Sequence, residues 1–419
     1  MVASTNDRLA RALQALYARV PLGMRLGLDA MRASCIEAEH PERRFEIVHV
    51  GGTNGKGSTC ARVESMARAA GKKVGLYTSP HLCRFAERIR IDGEPLDDSL
   101  LLGALERALD IGRDLSFFET ATLAAFLAFA DHRVDLAVIE VGIGGRLDAT
   151  NIIERPVATA ITRVAFDHED RLGHTLEAIA REKAGIAKPG VPLVVGHMAH
   201  AARAVIESEA SAIGAEVVGI ESLAWGERGE NAFLTQNDGL PCAYQRDNSM
   251  IAWALANYLG IDDTAKAEGL ARVKWPGRFE RIDAPDGPYL LDGAHNPDGA
   301  IALKESLASS GQKVSALVFG AMADKAWPTM LRVLAPLAST RVYVAPQGHS
   351  ARATRAAADP VACSAEYPGQ AARDVEGALA LARSSAGPTG LVLVCGSLYL
   401  VGNARATLLG LAQDPPVAL

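Results

Sequence analysis

The sequence predicts an α/β protein in two parts. The first is a domain on a doubly wound, mostly parallel sheet, the second a smaller α/β domain, with the active site expected in the cleft between them. Three observations predict it. A strand, Phe45-Glu-Ile-Val-His-Val50, runs into the glycine-rich loop Gly51-Gly-Thr-Asn-Gly-Lys-Gly-Ser-Thr59 and then a helical stretch to Ala70. Apolar runs without alternation recur at Asp135 to Val141, Val157 to Thr162 and Pro192 to Val195, the pattern of strands buried on both faces. The β/α alternation then restarts beyond a Pro/Gly-rich passage, Trp275 to Pro288. At about 150 residues per domain, 419 residues make two or three domains. The predicted boundary gives domains 1–283 and 284–419.

Each element follows from its spacing. Leu9, Leu13, Leu16, Tyr17 and Val20 mark a helix over Arg8 to Val20, stopped by Pro21. A strand is predicted at Lys73 to Thr78, and helices at Thr120 to Ala130 and Thr175 to Ala187. In the second, Rossmann-like domain, strands are predicted at Tyr289 to Asp292, Val314 to Phe319, Arg341 to Ala345 and Leu391 to Cys395. A helix there starts at Pro297, capped by Asn296. The uncharged stretch Ser384 to Ala404 is long enough to span a bilayer. Gly387, Pro388, Gly390, Gly396 and Gly402 break it into a strand, a turn and a helix.

Composition narrows the partners. With 49% hydrophobic and 22% charged residues the chain is globular rather than disordered. A net charge of −6 gives no global attraction for nucleic acid or anionic lipid, so any anionic ligand needs a local site. The six cysteines form no CxxC pair, which argues against a disulfide framework or zinc knuckle and fits a reducing compartment. Met1 to Leu9 has no apolar signal region. A cytoplasmic monomer is expected, with no nucleic-acid or membrane partner.

The chemistry sits at strand ends. Thr53, Asn54, Gly55, Lys56, Gly57 and Ser58 form a phosphate cradle, a P-loop. Glycines turn backbone N–H groups inward, the helix N-terminus adds its dipole, and Lys56 adds a point charge. Gly57 intervenes before the hydroxyl residue, so the generic G-x-x-x-x-G-K-[ST] pattern is not met. Glu140 ends a buried apolar strand, where a carboxylate is costly unless it meets a cation, and so reads as a magnesium ligand. Gly142, Gly144 and Gly145 invite backbone approach to a ligand. Asp167-His168 follows the next buried strand, where His168 is placed to ligate the same metal. Lys183 lies on a helix and is unremarkable by spacing alone. Asp292 and His295 lie at a strand end and helix start in the second domain.

Together these residues resemble one family. Its motifs are Gly52-Thr-Asn-Gly-Lys-Gly-Ser58, Tyr77-Thr-Ser-Pro-His-Leu82, Glu140-Val-Gly-Ile-Gly-Gly-Arg-Leu-Asp-Ala-Thr-Asn151, Asp167-His168, Arg181-Glu-Lys-Ala-Gly185, Pro276-Gly-Arg278 and Asp292-Gly-Ala-His-Asn-Pro297. The chain is similar, from about Arg25 to Ser397, to folylpolyglutamate synthase/dihydrofolate synthase of the Mur ligase superfamily. The resemblance implies an ATP-dependent amide ligase that adds L-glutamate to dihydropteroate and to reduced folates through an acyl phosphate. It implies ATP contacts at Thr53 to Ser58, Asn248, Arg278 and Asp292, and metal ligands at Ser79, Glu140, His168 and Lys183. Catalytic roles fall to Lys56, Lys183 and His295. The pterin or folate pocket falls to Arg25, Leu26, Gly27, Ser116, Phe117, Phe118, Glu119, Leu147, Asp148 and Ala149. The implied cofactors are two Mg2+ ions, a monovalent cation and a carbamylated Lys183, with ATP as co-substrate.

Two segments depart from the pattern. Arg25 stands where some bifunctional members carry an acidic residue, which leaves a synthase acting on folates alone as an alternative. Gln347 to Thr354 keeps only part of the family's loop. A cell-wall Mur ligase and a regulatory nucleotide switch are the more distant alternatives. Against the first stand Ser79-Pro-His81 and the paired phenylalanines, suited to a flat heteroaromatic ring.

Overall fold

The computed structural model describes residues 4–20, 27–223, 225–236, 242–347 and 356–414. They fall into two compact units. The first comprises Met1–Ser79, Ala86–Gly239 and Gln245–Val273; the second comprises Pro80–Phe85, Leu240–Tyr244 and Lys274–Leu419.

The first unit holds an eight-stranded sheet of β1 (Glu46–Gly51), β2 (Val74–Tyr77), β3 (Ile89–Ile91), β4 (Glu94–Pro95), β5 (Leu136–Glu140), β6 (Ala158–Ile161), β7 (Leu193–Val195) and β8 (Val217–Gly219). Their order is β4-β3-β2-β5-β1-β6-β7-β8, parallel from β2 to β8, with β3 and β4 antiparallel at one edge. Every residue of β2, β5, β6 and β7 is buried, as their unbroken apolar runs require. Each such Val, Leu or Ile side chain contributes about 1.5–3 kcal/mol by leaving water. Beside the sheet runs the helix Phe117–Asp131, almost entirely buried from Glu119 to Phe129, which explains its lack of a polar face. The chain leaves β1 with β5 on one side and β6 on the other. That switch point opens a crevice at the carboxyl ends of the three strands.

The second unit is a six-stranded sheet in the order β13-β12-β11-β14-β10-β9. Its strands are β9 (Glu280–Ala284), β10 (Gly287–Asp292), β11 (Val314–Phe319), β12 (Thr340–Tyr343), β13 (Gln370–Ala371) and β14 (Leu391–Cys395). All pairings are parallel except β9 with β10. The 283/284 boundary cuts through this hairpin, whose turn is Pro285-Asp286. The hydrogen bonds of β9 go to β10, and the unit begins earlier, at Lys274. The turn-rich composition there marks a tight hairpin rather than a linker. Asn296 caps the helix Pro297–Ser309, its Oδ1 accepting Gly299 N–H at 2.8 Å. The uncharged stretch resolves into β14 and the helix Leu398–Leu409. Among the described residues no helix is long and apolar enough to cross a membrane.

Candidate active site

Strand β1 delivers the glycine-rich loop onto the helix Lys56–Ala69. Gly55, the residue before that helix, has φ of 94°, and a Cβ on it would stand 2.2 Å from Asn248 Oδ1. Glycine is required there twice over, by the backbone and by the amide beside it. The loop is braced from the segment after β6. Thr53 N–H donates to Arg163 O at 2.6 Å, and Thr53 Oγ1 both donates to Ala165 O and accepts Ala165 N–H, each at 3.1 Å. Thr162 Oγ1 donates to Asn54 O at 2.7 Å. The sequence reading had no role for Thr162. Its only signal was a polar residue closing an apolar strand.

Lys56 and Glu140 meet above this loop. Lys56 Nζ donates to Thr53 O at 3.2 Å and stands 3.9 Å from Glu140 Oε1. The buried Glu140 carboxylate also accepts Ser79 N–H, on Oε2 at 2.9 Å. Thus the strand-end carboxylate does meet a cation, and Ser79 is beside it. His168 follows β6 in a left-handed conformation, φ 52°, its N–H donating to Asp167 Oδ1 at 2.9 Å.

Lys183 is a surprise by helical spacing. It is only 3% exposed, and its Nζ donates to Gly52 O at 3.0 Å, on the phosphate loop itself. Burial, with the Lys56 charge second, pushes its pKa down to about 7, while Asp167 and Asp148 pull the other way. What puts Lys183 there is contact between the loop after β5 and the end of the helix Leu176–Ala184. Arg146 N–H donates to Glu182 O at 2.8 Å, and Asn151 Nδ2 donates to Arg146 O and to Gly185 O, both at 3.0 Å. A Cβ on Gly145 would lie 2.8 Å from Glu182 O. Gly145 therefore permits the approach of a helix, where the sequence suggested the approach of a ligand. Gly142 likewise lies under the ring of Phe118.

These groups suit a hard cation. Glu140 and Ser79 offer oxygen donors, the preference of magnesium, which keeps few protein ligands and takes the rest from water and phosphate. Among the described residues no three His, Cys, Asp or Glu side chains cluster as a zinc-type cage would require.

The segments assigned to the pterin ring gather aromatic side chains. Phe118 lies 6.0 Å from Tyr77, Phe117 lies 5.2 Å from Tyr17, and the Arg88 guanidinium stands over Phe117 at 5.4 Å. Two carboxylates in these segments are committed to the backbone. Glu119 Oε2 accepts Ser116 N–H at 2.8 Å and Ser116 Oγ–H at 2.6 Å. Asp148 accepts Thr150 N–H and Oγ–H on Oδ1 and Ile143 N–H on Oδ2, and burial raises its pKa. Leu147 and the buried Ala149 flank it. Gly27 has φ of 119°, while Arg25 and Leu26 lie outside the described residues, as does most of Gln347 to Thr354.

In the second unit, Asp292 ends β10 fully hydrogen-bonded. Its Oδ1 accepts Ala294 N–H at 2.9 Å, and its Oδ2 accepts Phe279 N–H and the Tyr244 hydroxyl, each at 2.8 Å. Burial raises its pKa, opposed by the Arg278 guanidinium, which lies across Gly293. Phe279 takes the left-handed region, φ 53°, which is uncommon for so bulky a residue. His295 Nδ1–H donates to Gly293 O at 2.8 Å. The sequence reading missed Tyr244, which carries no motif signal of its own.

Comparison with known proteins follows the same division. Residues 50–239 match the Mur ligase middle domain, and residues 277–398 match the Mur ligase glutamate ligase domain. The chain is 33% identical over 426 residues to a dihydrofolate synthase/folylpolyglutamate synthase of Bacillus subtilis, covering 94% of this chain and 97% of that one. The folylpolyglutamate synthase of Mycobacterium tuberculosis complexed with ADP has a TM-score of 0.85 at 30% identity, covering 98% of this chain and 100% of that chain. The bifunctional folylpolyglutamate synthase/dihydrofolate synthase of Yersinia pestis complexed with AMPPNP and Mn ion has a TM-score of 0.82 at 31% identity, with the same coverage.

Proposed function

The chain belongs to the folylpolyglutamate synthase/dihydrofolate synthase family of Mur ligases, and we propose how its residues carry out that family's reaction. It is an ATP-dependent acid–amino-acid ligase. Its acceptors are dihydropteroate, giving dihydrofolate, and the terminal γ-carboxylate of reduced folates. The observation that carries the residue assignment is the convergence of Lys56, Glu140 and Lys183 on one glycine-rich loop.

A carboxylate is a poor acyl donor at neutral pH. Its oxygen therefore attacks the γ-phosphorus of ATP, the bond to the β-phosphate oxygen breaks, and ADP leaves. The neutral amine of L-glutamate then attacks the carbonyl of the acyl phosphate, loses a proton, and displaces inorganic phosphate. The protein contributes position and charge. Thr53 to Ser58 cradle the phosphates with backbone N–H groups, and Lys56 neutralises charge that grows on the transferring group. Asn248, Arg278 and Asp292 are assigned to the nucleotide by resemblance, and His295 is assigned to orienting the reacting groups. Ser79, Glu140, His168 and a carbamylated Lys183 would hold Mg2+, which supplies charge neutralisation on the phosphate oxygens. Phe117, Phe118 and the loops at Gly27 and Leu147 to Ala149 are assigned to the pterin ring, with Glu119 and Asp148 shaping its backbone.

Phosphate release with dihydropteroate or tetrahydrofolate, each with and without L-glutamate, tests this reading. Release should be strong only when an acceptor and glutamate are both present. Release that needs neither would make the protein a nucleotide hydrolase instead. The metal assignment has its own check. Glu140→Gln and His168→Ala should each raise the half-saturating Mg2+ concentration by about tenfold or more. An unchanged magnesium titration in both variants would remove them from the metal site.

A further inference from the structure

We propose that Arg19 is a positioning residue for the pterin side of the substrate site, gripping the N-terminal turn of the helix Phe117–Asp131, Ser116-Phe117-Phe118-Glu119, from Leu115 and Thr120. The proposal rests on the assignment of that turn to the pterin ring. Arg19 lies just past the helix Thr5–Tyr17, which is anchored by the buried Leu9, Leu13, Leu16 and Tyr17. Its guanidinium donates to Leu109 O at 3.1 Å, to Gly112 O, to Leu115 O at 3.4 Å and to Thr120 Oγ1 at 2.8 Å. The first two acceptors belong to the end of the helix Asp98–Ile111, where a cation is favoured by the helix dipole. A purely stabilising cap would need only those.

The other two acceptors are what point to the site. Leu115 immediately precedes the N-cap Ser116, and Thr120 lies within the helix Phe117–Asp131, just past Glu119. Thr120 Oγ1 in turn donates to Ser116 O at 2.8 Å, so the grip closes on the turn itself. Tyr17, two residues before Arg19, adds a ring contact to Phe117. The guanidinium reaches these acceptors from two nitrogens, Nη1 toward Gly112, Leu115 and Thr120 with its two hydrogens shared among three acceptors, and Nη2 toward Leu109, a spread the single ammonium of lysine cannot match. The backbone that carries Phe117 and Phe118 is thereby held from the N-terminal segment, while the Phe118 ring itself packs against Tyr77 and Gly142.

The consequence is a split in the kinetic constants. Arg19→Gln should raise the KM for dihydropteroate and for tetrahydrofolate by about tenfold, with kcat and the KM for ATP within about twofold of wild type. Arg19→Lys should fall between the two. Thr120→Val, which keeps side-chain shape and removes one acceptor, should move the same constants in the same direction and serves if Arg19→Gln folds poorly. The experiment is steady-state phosphate release with each substrate varied in turn, alongside thermal unfolding of the same samples. A pterin KM unchanged in folded variants would overturn the proposal. So would KM values for ATP and pterin that rise together in step with lost thermal stability. A wild-type enzyme that releases phosphate with neither pterin substrate would overturn the underlying assignment, before any variant is compared.

Discussion

Replacing Lys56 by alanine is expected to lower the rate of amide formation by about 10²- to 10³-fold while leaving the fold intact. Lys56 is the first residue of the helix after the phosphate loop, and its contacts are a loop carbonyl and the Glu140 carboxylate rather than a core. Its removal takes away the one side-chain charge of the loop that can follow the phosphoryl group from ATP to the acceptor. Some stability should be lost, because the buried Glu140 carboxylate is left without its cation, although the Ser79 N–H still donates to it. ADP formation under saturating substrates, with circular dichroism to confirm folding, measures both. A folded Lys56→Ala enzyme with near wild-type turnover would remove the loop from the reaction.

Lys183→Ala should be nearly inactive, and the inactivity should be partly reversed by acetate. The amine is buried against the phosphate loop with its pKa pushed down to about 7. As pH rises through that value the amine becomes neutral and nucleophilic. In that form it would add to carbon dioxide, forming an N–C bond and releasing a proton, so that a cationic side chain would become an anionic carbamate. Below that value it stays an ammonium and cannot react. Carbon-13 bicarbonate should therefore give wild-type protein a carbamate resonance that grows with pH across neutrality and is missing from Lys183→Ala. Acetate restores activity in this account because it supplies two oxygens in the space left by the shortened side chain. Wild-type protein with magnesium and bicarbonate above neutrality, showing no such resonance, would refute the modification.

The parallel strands were legible because burial on both faces leaves unbroken apolar runs. The predicted runs at Asp135 to Val141 and Val157 to Thr162 differ from β5 and β6 only at their ends. The edge strands β3, β4 and β8 were not legible, being short, and half exposed in parts, with little apolar pattern to read. In the site, loop residues announced themselves through glycine and strand-end charge. Lys183 did not, because a helix surface lysine and a buried one share the same spacing until a partner surface is known. The partner here is the loop after β5, whose backbone, Asn151 side chain and Arg146–Glu182 ion pair bring the amine to Gly52. Tyr244 and Thr162 went unread for a related reason. Each acts through one hydroxyl on a group distant in sequence, and a single hydroxyl has no periodicity. The hairpin β9–β10 shows the opposite error, where a correct turn signal was taken for a domain boundary.

The sheet order also sets a schedule for folding. Val50 pairs with Glu140, and Gly51 pairs with Ile161, so both lateral neighbours of β1 arrive about a hundred residues after it. During synthesis the emerging chain displays the complete phosphate-loop sequence long before anything can hold it in shape. Its braces, Thr162 to Ala165, come later, and the Lys183 contact with Gly52 later still. Such long-range parallel pairing is slow to form and leaves apolar strands uncovered meanwhile. ATP therefore cannot serve as an early template for folding. A ribosome stalled between the codons for Thr59 and Lys183 would leave a nascent chain that carries the nucleotide-binding motif and lacks the nucleotide-binding site.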